Sequence, residues 1–381
     1  MRRSLRAPEE VAPSPRSARA VLFGVLLTLA LLASVALAIG LGQISLSLPD
    51  ILRVILTNLS GQAAAGDPSS GVSPLEQQIV WELRLPRVLL TALVGAALAL
   101  AGAVLQGLVG NPLTDPFVIG VSSGSSLGAV SVMAFGSGAL LGIGVSAAAF
   151  AGALLTLLIL LLLTQRSGTL SGYRIVLAGV ALGQLAMAGT MLIQLQVDPG
   201  QIRGILFWML GSTSGARWDQ LPVLLGAVLL AAAFTMAKSR QLNALAFGEA
   251  DAVALGVSVN SLRFQLLIAT ALLTAVAVAV AGAVGFVGLI VPHALRLMGI
   301  ADYRRLLPLS LLSGATFLVL IDLLSRLIDP PNEYPLTIFT AVFGAPFFLW
   351  LLYAKESHGH QFARRSEKRV KRAGKRAEQA R

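Results

Sequence analysis

The sequence predicts an all-α polytopic membrane protein of about ten transmembrane helices with both termini inside. Three observations carry that prediction. First, 56% of the 381 residues are apolar and 12% are charged, with a mean hydropathy of +0.80, whereas soluble chains carry about 25% charged residues. Second, ten apolar segments approach spanning length, near 20–41, 86–108, 117–137, 140–164, 174–196, 219–237, 264–281, 283–299, 306–327 and 335–353. Third, an inside N-terminus puts 23 of the 29 Lys and Arg residues on the inner side. Only Arg53, Arg84, Arg87, Arg203, Arg217 and Arg326 remain outside, the bias that sets cytoplasmic orientation.

Residues 1–18 read as a basic cytoplasmic tail and 19–354 as the membrane domain. The apolar run from Val21 has no small-residue cleavage site after it, so it is a retained span rather than a signal peptide. Outside, within 42–85, PDILRVILTNL reads as a short amphipathic helix and GQAAAGDPSSGVSP as a flexible stretch.

The most informative segment follows the second span: GAVLQGLVGNPLTDPFVIGVSSGSSLG, Gly102 to Gly128. Gln106, Asn111, Pro112, Asp115 and Pro116 stand there between two apolar runs. Irregular backbone near membrane depth is tolerated only when buried in protein or lining a wet cavity, so this is a crowded passage through a bundle and points to transport. Gly120, Gly124 and Gly128 recur every four residues. A phosphate-cradling loop would need a preceding strand and a GK[ST] end, both absent, whereas small residues on one face let membrane helices approach closely. With no Walker A sequence, the chain is not expected to hydrolyse ATP by that route.

Further along, residues 198–218 read as an outer interfacial helix with Trp208 and Trp218 at headgroup level. Residues 238–263 are polar enough to leave the bilayer on the inner side, yet Leu245, Ala252 and Leu255 keep helical spacing, as in an amphipathic helix awaiting a protein partner. In GFVGLIVPHALRLMG, Pro292 is expected to kink the eighth span. His293 has no second ligand within the spans, so a packed histidine is expected rather than a metal site. Ten of the Lys and Arg residues fall in the tail 355–381, a solvated basic end with an anionic-lipid contact as the alternative. Because the excess charge flanks spans, nucleic acid is not indicated. The absence of cysteine removes disulfides, thiolate metal sites and cysteine nucleophiles.

Two readings stay open for the outer arginines. Arg84 and Arg87, in WELRLPR, suit interfacial snorkelling, and Arg326 lies one turn after Asp322, as in an i, i+4 ion pair. Alternatively, all three dock acidic residues of an extracytoplasmic protein, because guanidinium grips carboxylate bidentately.

The segment from Gly102 to Gly128, RLPR at 84–87, LAGVAL at 177–182, WMLGS at 208–212 and LNALAFGEADAVALGV at 242–257 form an ordered set. So do the 282–310 segment, DLLSR at 322–326 and NEYPLTIFTAVFGAPFFLWLL at 332–352. With these motifs the chain resembles the permease family of iron–siderophore, haem and cobalamin ABC importers (type II importers), from about Ser47 to Leu352. The resemblance implies a multi-pass cell-membrane protein with the type II permease fold. It would form a dimer with a second permease subunit, a copy or a paralogue, and place the passage at their interface. Two ATPase subunits would bind ATP below, and an extracytoplasmic binding protein would deliver an iron–siderophore chelate, with a haem- or cobalamin-type chelate as the alternative. No cofactor, catalytic residue or metal site of the chain's own is implied.

Residue by residue, Arg84, Arg87 and Arg326 match the docking arginines of that family. Gly248, Glu249, Ala250, Ala252, Leu255 and Gly256, within 239–262, match its coupling helices. Asn111 and Leu113 match the loop that narrows the inner mouth, opposite Gly172 and Tyr173. Gln106, Pro112, Gly120, Gly124 and Pro292 fall in packing or pathway positions. Tyr303 and Leu336 depart from the family's usual His and Gly, both outside the docking and coupling motifs. The rival is an ion-coupled secondary transporter, which needs ionisable groups at mid-membrane. Here the acids cluster at span ends and loops, with Asp322 nearest to an exception.

Overall fold

The second apolar run becomes the axis of the molecule. In the computed structural model, which describes residues 15–351 and 353 apart from 43, 45, 61–72, 137–141 and 166–169, it forms α4 (Leu85–Val109). A helix apolar on every side belongs inside a bundle, and all but a few residues of α4 are buried. Packed around it are α9 (Leu221–Ala237), α12 (Val259–Ala281), α13 (Val287–Leu297) and α14 (Tyr303–Leu327). Small residues set two of these crossings. A Cβ on Gly95 would fall 2.2 Å from the Gly314 carbonyl oxygen, and one on Gly102 would fall 1.9 Å from that of Gly288. Backbones therefore touch at both points, as small-residue interfaces in membranes permit.

A second layer is formed by α5 (Val121–Phe135), α6 (Val145–Gln165) and α7 (Gly172–Gln194). Helix α1 (Pro15–Gly40) lies along α14 with most of its surface outward. Its start at Pro15 means the helix begins inside the segment expected as tail, while 1–14 and 354–381 lie outside the described residues.

The short elements also fall largely where expected, with 'outer' and 'inner' following the orientation the sequence predicts, and the expected flexible stretch at 61–72 lies outside the described residues. The outer amphipathic helix is α2 (Leu48–Leu59), capped by the Ser47 side chain. α3 (Pro74–Gln78), started by a Ser73–Glu76 capping box, runs through a π-helical turn, Ile79–Arg84, into α4. The segment expected as an interfacial helix contains α8 (Pro199–Met209), shorter than 198–218 because Gly211 turns the chain at φ 76°. Trp218 stacks on Trp81 at 4.7 Å between ring centroids and donates its indole N–H to the Trp81 carbonyl, so it packs against the turn that leads into α4. The inner segment folds into α10 (Ser239–Leu245) and α11 (Glu249–Ala254), and its last residues already belong to α12.

Each of the ten expected spans overlaps a helix among the described residues. Among the described residues, seven helices are long and apolar enough to cross a membrane, and α5, α13 and α15 (Leu336–Leu351) are shorter. α5 is shortened because Pro116–Ile119 forms a 3-10 turn and Gly120 is left-handed, φ 79°. α13 is shortened by an irregular stretch at 282–286 that ends on Phe286, left-handed at φ 69°. The break in the eighth span therefore precedes the expected position: helix continues through Pro292, and the irregular backbone lies before Val287.

Candidate functional site

Two polar clusters sit at opposite ends of α4. The outer one is built on the three arginines. Arg84 donates to the carbonyls of Ile39 (2.7 Å), Gly40 (3.3 Å) and Ile44 (2.6 Å), and Arg326 donates to that of Ala38 (3.1 Å). The last carbonyls of a helix lack intrahelical donors and carry its negative end, so both guanidinium groups cap α1. Arg87 spans two acids: Asp322 through Nε and Nη2 (3.0 and 2.9 Å), and both Glu333 carboxylate oxygens through Nη1 (2.8 and 2.9 Å). Asp322 also pairs with Arg326 at 3.2 Å and accepts from the Thr213 hydroxyl, itself bonded by Thr91.

These arginines are not the water-reaching side chains that snorkelling implies. Arg84 and Arg87 are each 9% exposed and Asp322 is 1% exposed. The expected Asp322–Arg326 pair is present, but Asp322 serves Arg87 as well. The three arginines and Glu333 line one open cavity of about 340 Å3 with Ser214 and Pro331. Thus three guanidinium groups line the cavity, Arg87 and Arg326 held by the cluster's own carboxylates and Arg84 by backbone carbonyls.

The inner cluster begins where α4 ends. Gly110, left-handed at φ 73°, terminates the helix, and the Asn111 side chain accepts from the Leu113 N–H (2.9 Å) to close a turn. Asn111 and Leu113 are exposed on that turn. Close by, a Cβ on Gly172 would lie 2.8 Å from the Val109 carbonyl oxygen, so the start of α7 abuts the end of α4. Asp115 accepts from the N–H groups of Phe117 and Phe286, joining the two irregular segments. Gly120 faces the Gly179 backbone and Gly124 the Gly152 backbone. Pro112 lines an inner cavity of about 480 Å3 with Gln106, Gly248, Glu249, Arg263, Arg296 and Tyr303.

Beside that cavity lies the elbow α10–α11. Gly248 (φ 126°) precedes α11 and Gly256 (φ 80°) follows it, backbone settings that suit glycine. The expected apolar stripe divides between two faces. Ala252 is fully buried and Leu245 nearly so, whereas Leu255 is 70% exposed, with Phe247 and Val253 beside it on the outward surface. Ala252 therefore cannot touch a partner as expected, because its methyl already packs inside the chain; Glu249, Ala250 and Leu255 face outward. The sequence pattern does not single out Phe247 and Val253, because it does not say which side of a short helix faces its own protein.

Arg263 is a further residue that no motif marks. Its Nη1 donates to the Leu170 carbonyl (2.9 Å), its Nε to that of Leu108 (3.3 Å), and its Nη2 to Glu249. Tyr303 lies closer to the elbow α10–α11 than its motif position suggests: its N–H donates to Asn243 on α10 (2.9 Å), and its hydroxyl accepts from Arg296 (3.1 Å). Leu336 is buried and donates its N–H to the Gly211 carbonyl, so a side chain is accommodated there.

The FecCD transport family matches residues 29–354. The chain is 44% identical to the cobalamin import system permease protein of Halobacterium salinarum over 75% of this chain and 76% of that protein. It is 42% identical to the vitamin B12 import system permease protein of Salmonella choleraesuis over 81% and 94% respectively. A solved inward-facing structure assigned to the metal-chelate type of ABC transporter superposes with a TM-score of 0.74. That likeness covers 88% of this chain and 99% of that one at 33% identity.

Proposed function

The chain belongs to the FecCD transport family and is a multi-pass membrane permease of the ABC importer type; from this premise we propose a pathway subunit whose two ends answer to two different partners. At the outer end, Arg84, Arg87 and Arg326 receive carboxylates of an extracytoplasmic binding protein. At the inner end, the outward surface of α11 seats in a groove on an ATPase subunit. A second permease subunit completes the passage. Closure of the ATPase pair pushes the elbow, the spans rock, and the open side exchanges from outer to inner.

The observation that supports this reading best is the placement of the arginine cavity and the exposed apolar elbow at opposite ends of the central buried helix, α4. A motor-driven conduit needs a docking surface at each end and a rigid element between them. Asp322, the acid that would have favoured ion coupling, is already committed to Arg87 and Arg326.

For cargo, the names of the relatives favour a cobalamin-type corrinoid, and the motif resemblance favours an iron–siderophore chelate as the second reading. Both are bulky metal chelates that a wide, weakly binding passage suits. The test is uptake by proteoliposomes holding the permease with its ATPase and binding protein. ATP-driven accumulation of cyanocobalamin and not of ferrichrome selects the first cargo, the converse selects the second, and accumulation of neither removes the chelate assignment.

A further inference from the structure

We propose that Arg263 is a positioning residue that transmits movement of the elbow to the inner mouth. The inference rests on the reading of α11 as the surface the ATPase grips.

The guanidinium reaches three separate parts of the chain. On one side it pairs with Glu249, the first residue of α11. On another it donates to Leu108, one of the last carbonyls of α4, which has no helical donor. On the third it donates to Leu170, two residues before α7. The N–H of the same Leu170 donates to the Asn260 side chain at 2.6 Å. One turn of α12, from Asn260 to Arg263, thus holds both polar groups of the Leu170 backbone.

The two gripped segments lead directly to the walls of the mouth. Leu108 precedes the turn carrying Asn111 and Leu113, and Leu170 precedes Gly172 and Tyr173. Arg263 is itself 5% exposed. A buried guanidinium with three oxygen partners resists losing any of them, because an unpaired buried charge is costly. Glu249, by contrast, is largely exposed and sits on the element that an ATPase would displace. Displacing α11 therefore pulls on a group that cannot release Leu108 or Leu170 cheaply. Lysine could not replace it, since an ammonium lacks the planar fork that reaches divergent acceptors.

The chain contains no cysteine, so Leu113→Cys and Tyr173→Cys allow spin labels on both walls of the mouth. In the permease–ATPase complex, the label distance is measured with and without a non-hydrolysable ATP analogue, and ATP hydrolysis is followed alongside. Arg263→Gln is expected to leave assembly and hydrolysis in place while the nucleotide-dependent distance change falls roughly tenfold in population, the scale of losing charge-assisted hydrogen bonds. Glu249→Gln keeps the carbonyl bonds and breaks only the elbow link, so it should act in the same direction with less effect. It decides the matter if Arg263→Gln fails to assemble. The swap of Glu249→Arg with Arg263→Glu should restore assembly but not movement, because a carboxylate cannot donate to Leu108 or Leu170. Wild-type movement in Arg263→Gln, or in Glu249→Gln where that variant decides, overturns the role of Arg263 alone. No nucleotide-dependent change in the unsubstituted complex, or hydrolysis and movement unaffected by Leu255→Asp, overturns the ATPase-elbow reading and this inference with it.

Discussion

The Gln106 side chain donates to the Gly288 carbonyl at 3.0 Å, the one carbonyl of α13 that Pro292, four residues later, leaves without its helical donor. Proline inside a helix removes that bond, and here the neighbouring helix replaces it. The other atom of the same amide, Oε1, accepts from Arg296. A polar residue in an apolar run thus has a structural role, joining α4 to α13 where their backbones meet at Gly102 and Gly288.

Replacing Gln106 by Leu should therefore destabilise the protein by about 1–3 kcal/mol, the penalty of a buried acceptor left unmade. Thermal unfolding of the detergent-solubilised complex checks this, with Gln106→Glu also destabilising because it removes the donor to Gly288. An unchanged Tm in Gln106→Leu would show the amide to be dispensable.

Gly102→Ala should fail to give folded, membrane-inserted protein, since its Cβ would lie 1.9 Å from a backbone oxygen that cannot retreat. Gly226→Ala, in α9 with nothing within 4 Å of the added carbon, should be tolerated. Fluorescence size-exclusion yields of the two variants compare them directly.

At the outer end the two acids holding Arg87 should behave oppositely. Asp322→Asn leaves two buried guanidinium groups without their shared anion and should cost about 3–5 kcal/mol, as breaking a buried pair does. Glu333 is 39% exposed at its side chain and competes with any incoming carboxylate, so Glu333→Gln should tighten binding-protein docking by roughly threefold to tenfold, the scale of a partly exposed ion pair. Surface plasmon resonance with the loaded binding protein measures the second effect, and protein yield the first.

On the elbow, Ala252→Asp should lower the amount of folded permease, whereas Leu255→Asp should leave it folded and disconnect hydrolysis from uptake. The difference follows from burial: one side chain is fully enclosed and the other is 70% exposed. Equal behaviour of the two variants in expression and coupling would contradict the placement.

The Glu249 carboxyl is held below its usual range, chiefly by its hydrogen bond from Arg263. Its folded pKa is depressed, so its contribution is present above the ordinary glutamate pKa and is lost only as pH falls through the lower folded value. The label movement at the inner mouth should accordingly be flat from neutrality down to the normal glutamate range and decline below it, a decline that Glu249→Gln should lack.

What was legible in the sequence follows from what leaves a mark on hydropathy or turn chemistry. The long spans did, because each is an apolar run that only a bilayer or a bundle interior accommodates. The break after α4 did too, since Asn111, Pro112, Asp115 and Pro116 interrupt such a run. The break at 282–286 did not, because GAVGF is apolar throughout and Phe286 gives no hint that it adopts a left-handed backbone. Arg84, Arg87 and Arg326 stood out as charges on the sparsely charged side, but their burial did not, since their acceptors include carbonyls at and just beyond the end of α1 and, for Arg87, acids from distant segments. Arg263 looked like an ordinary inner-side cation for the same reason: two of its three partners are backbone oxygens, which carry no residue signature.

The most direct test of a conduit worked by an external motor is accumulation in sealed vesicles with and without that motor. With the permease, its ATPase and the loaded binding protein, cyanocobalamin or ferrichrome should concentrate inside only when ATP is supplied on the ATPase side. Concentrative uptake by the permease alone, driven by a proton or sodium gradient with no nucleotide present, would contradict the account.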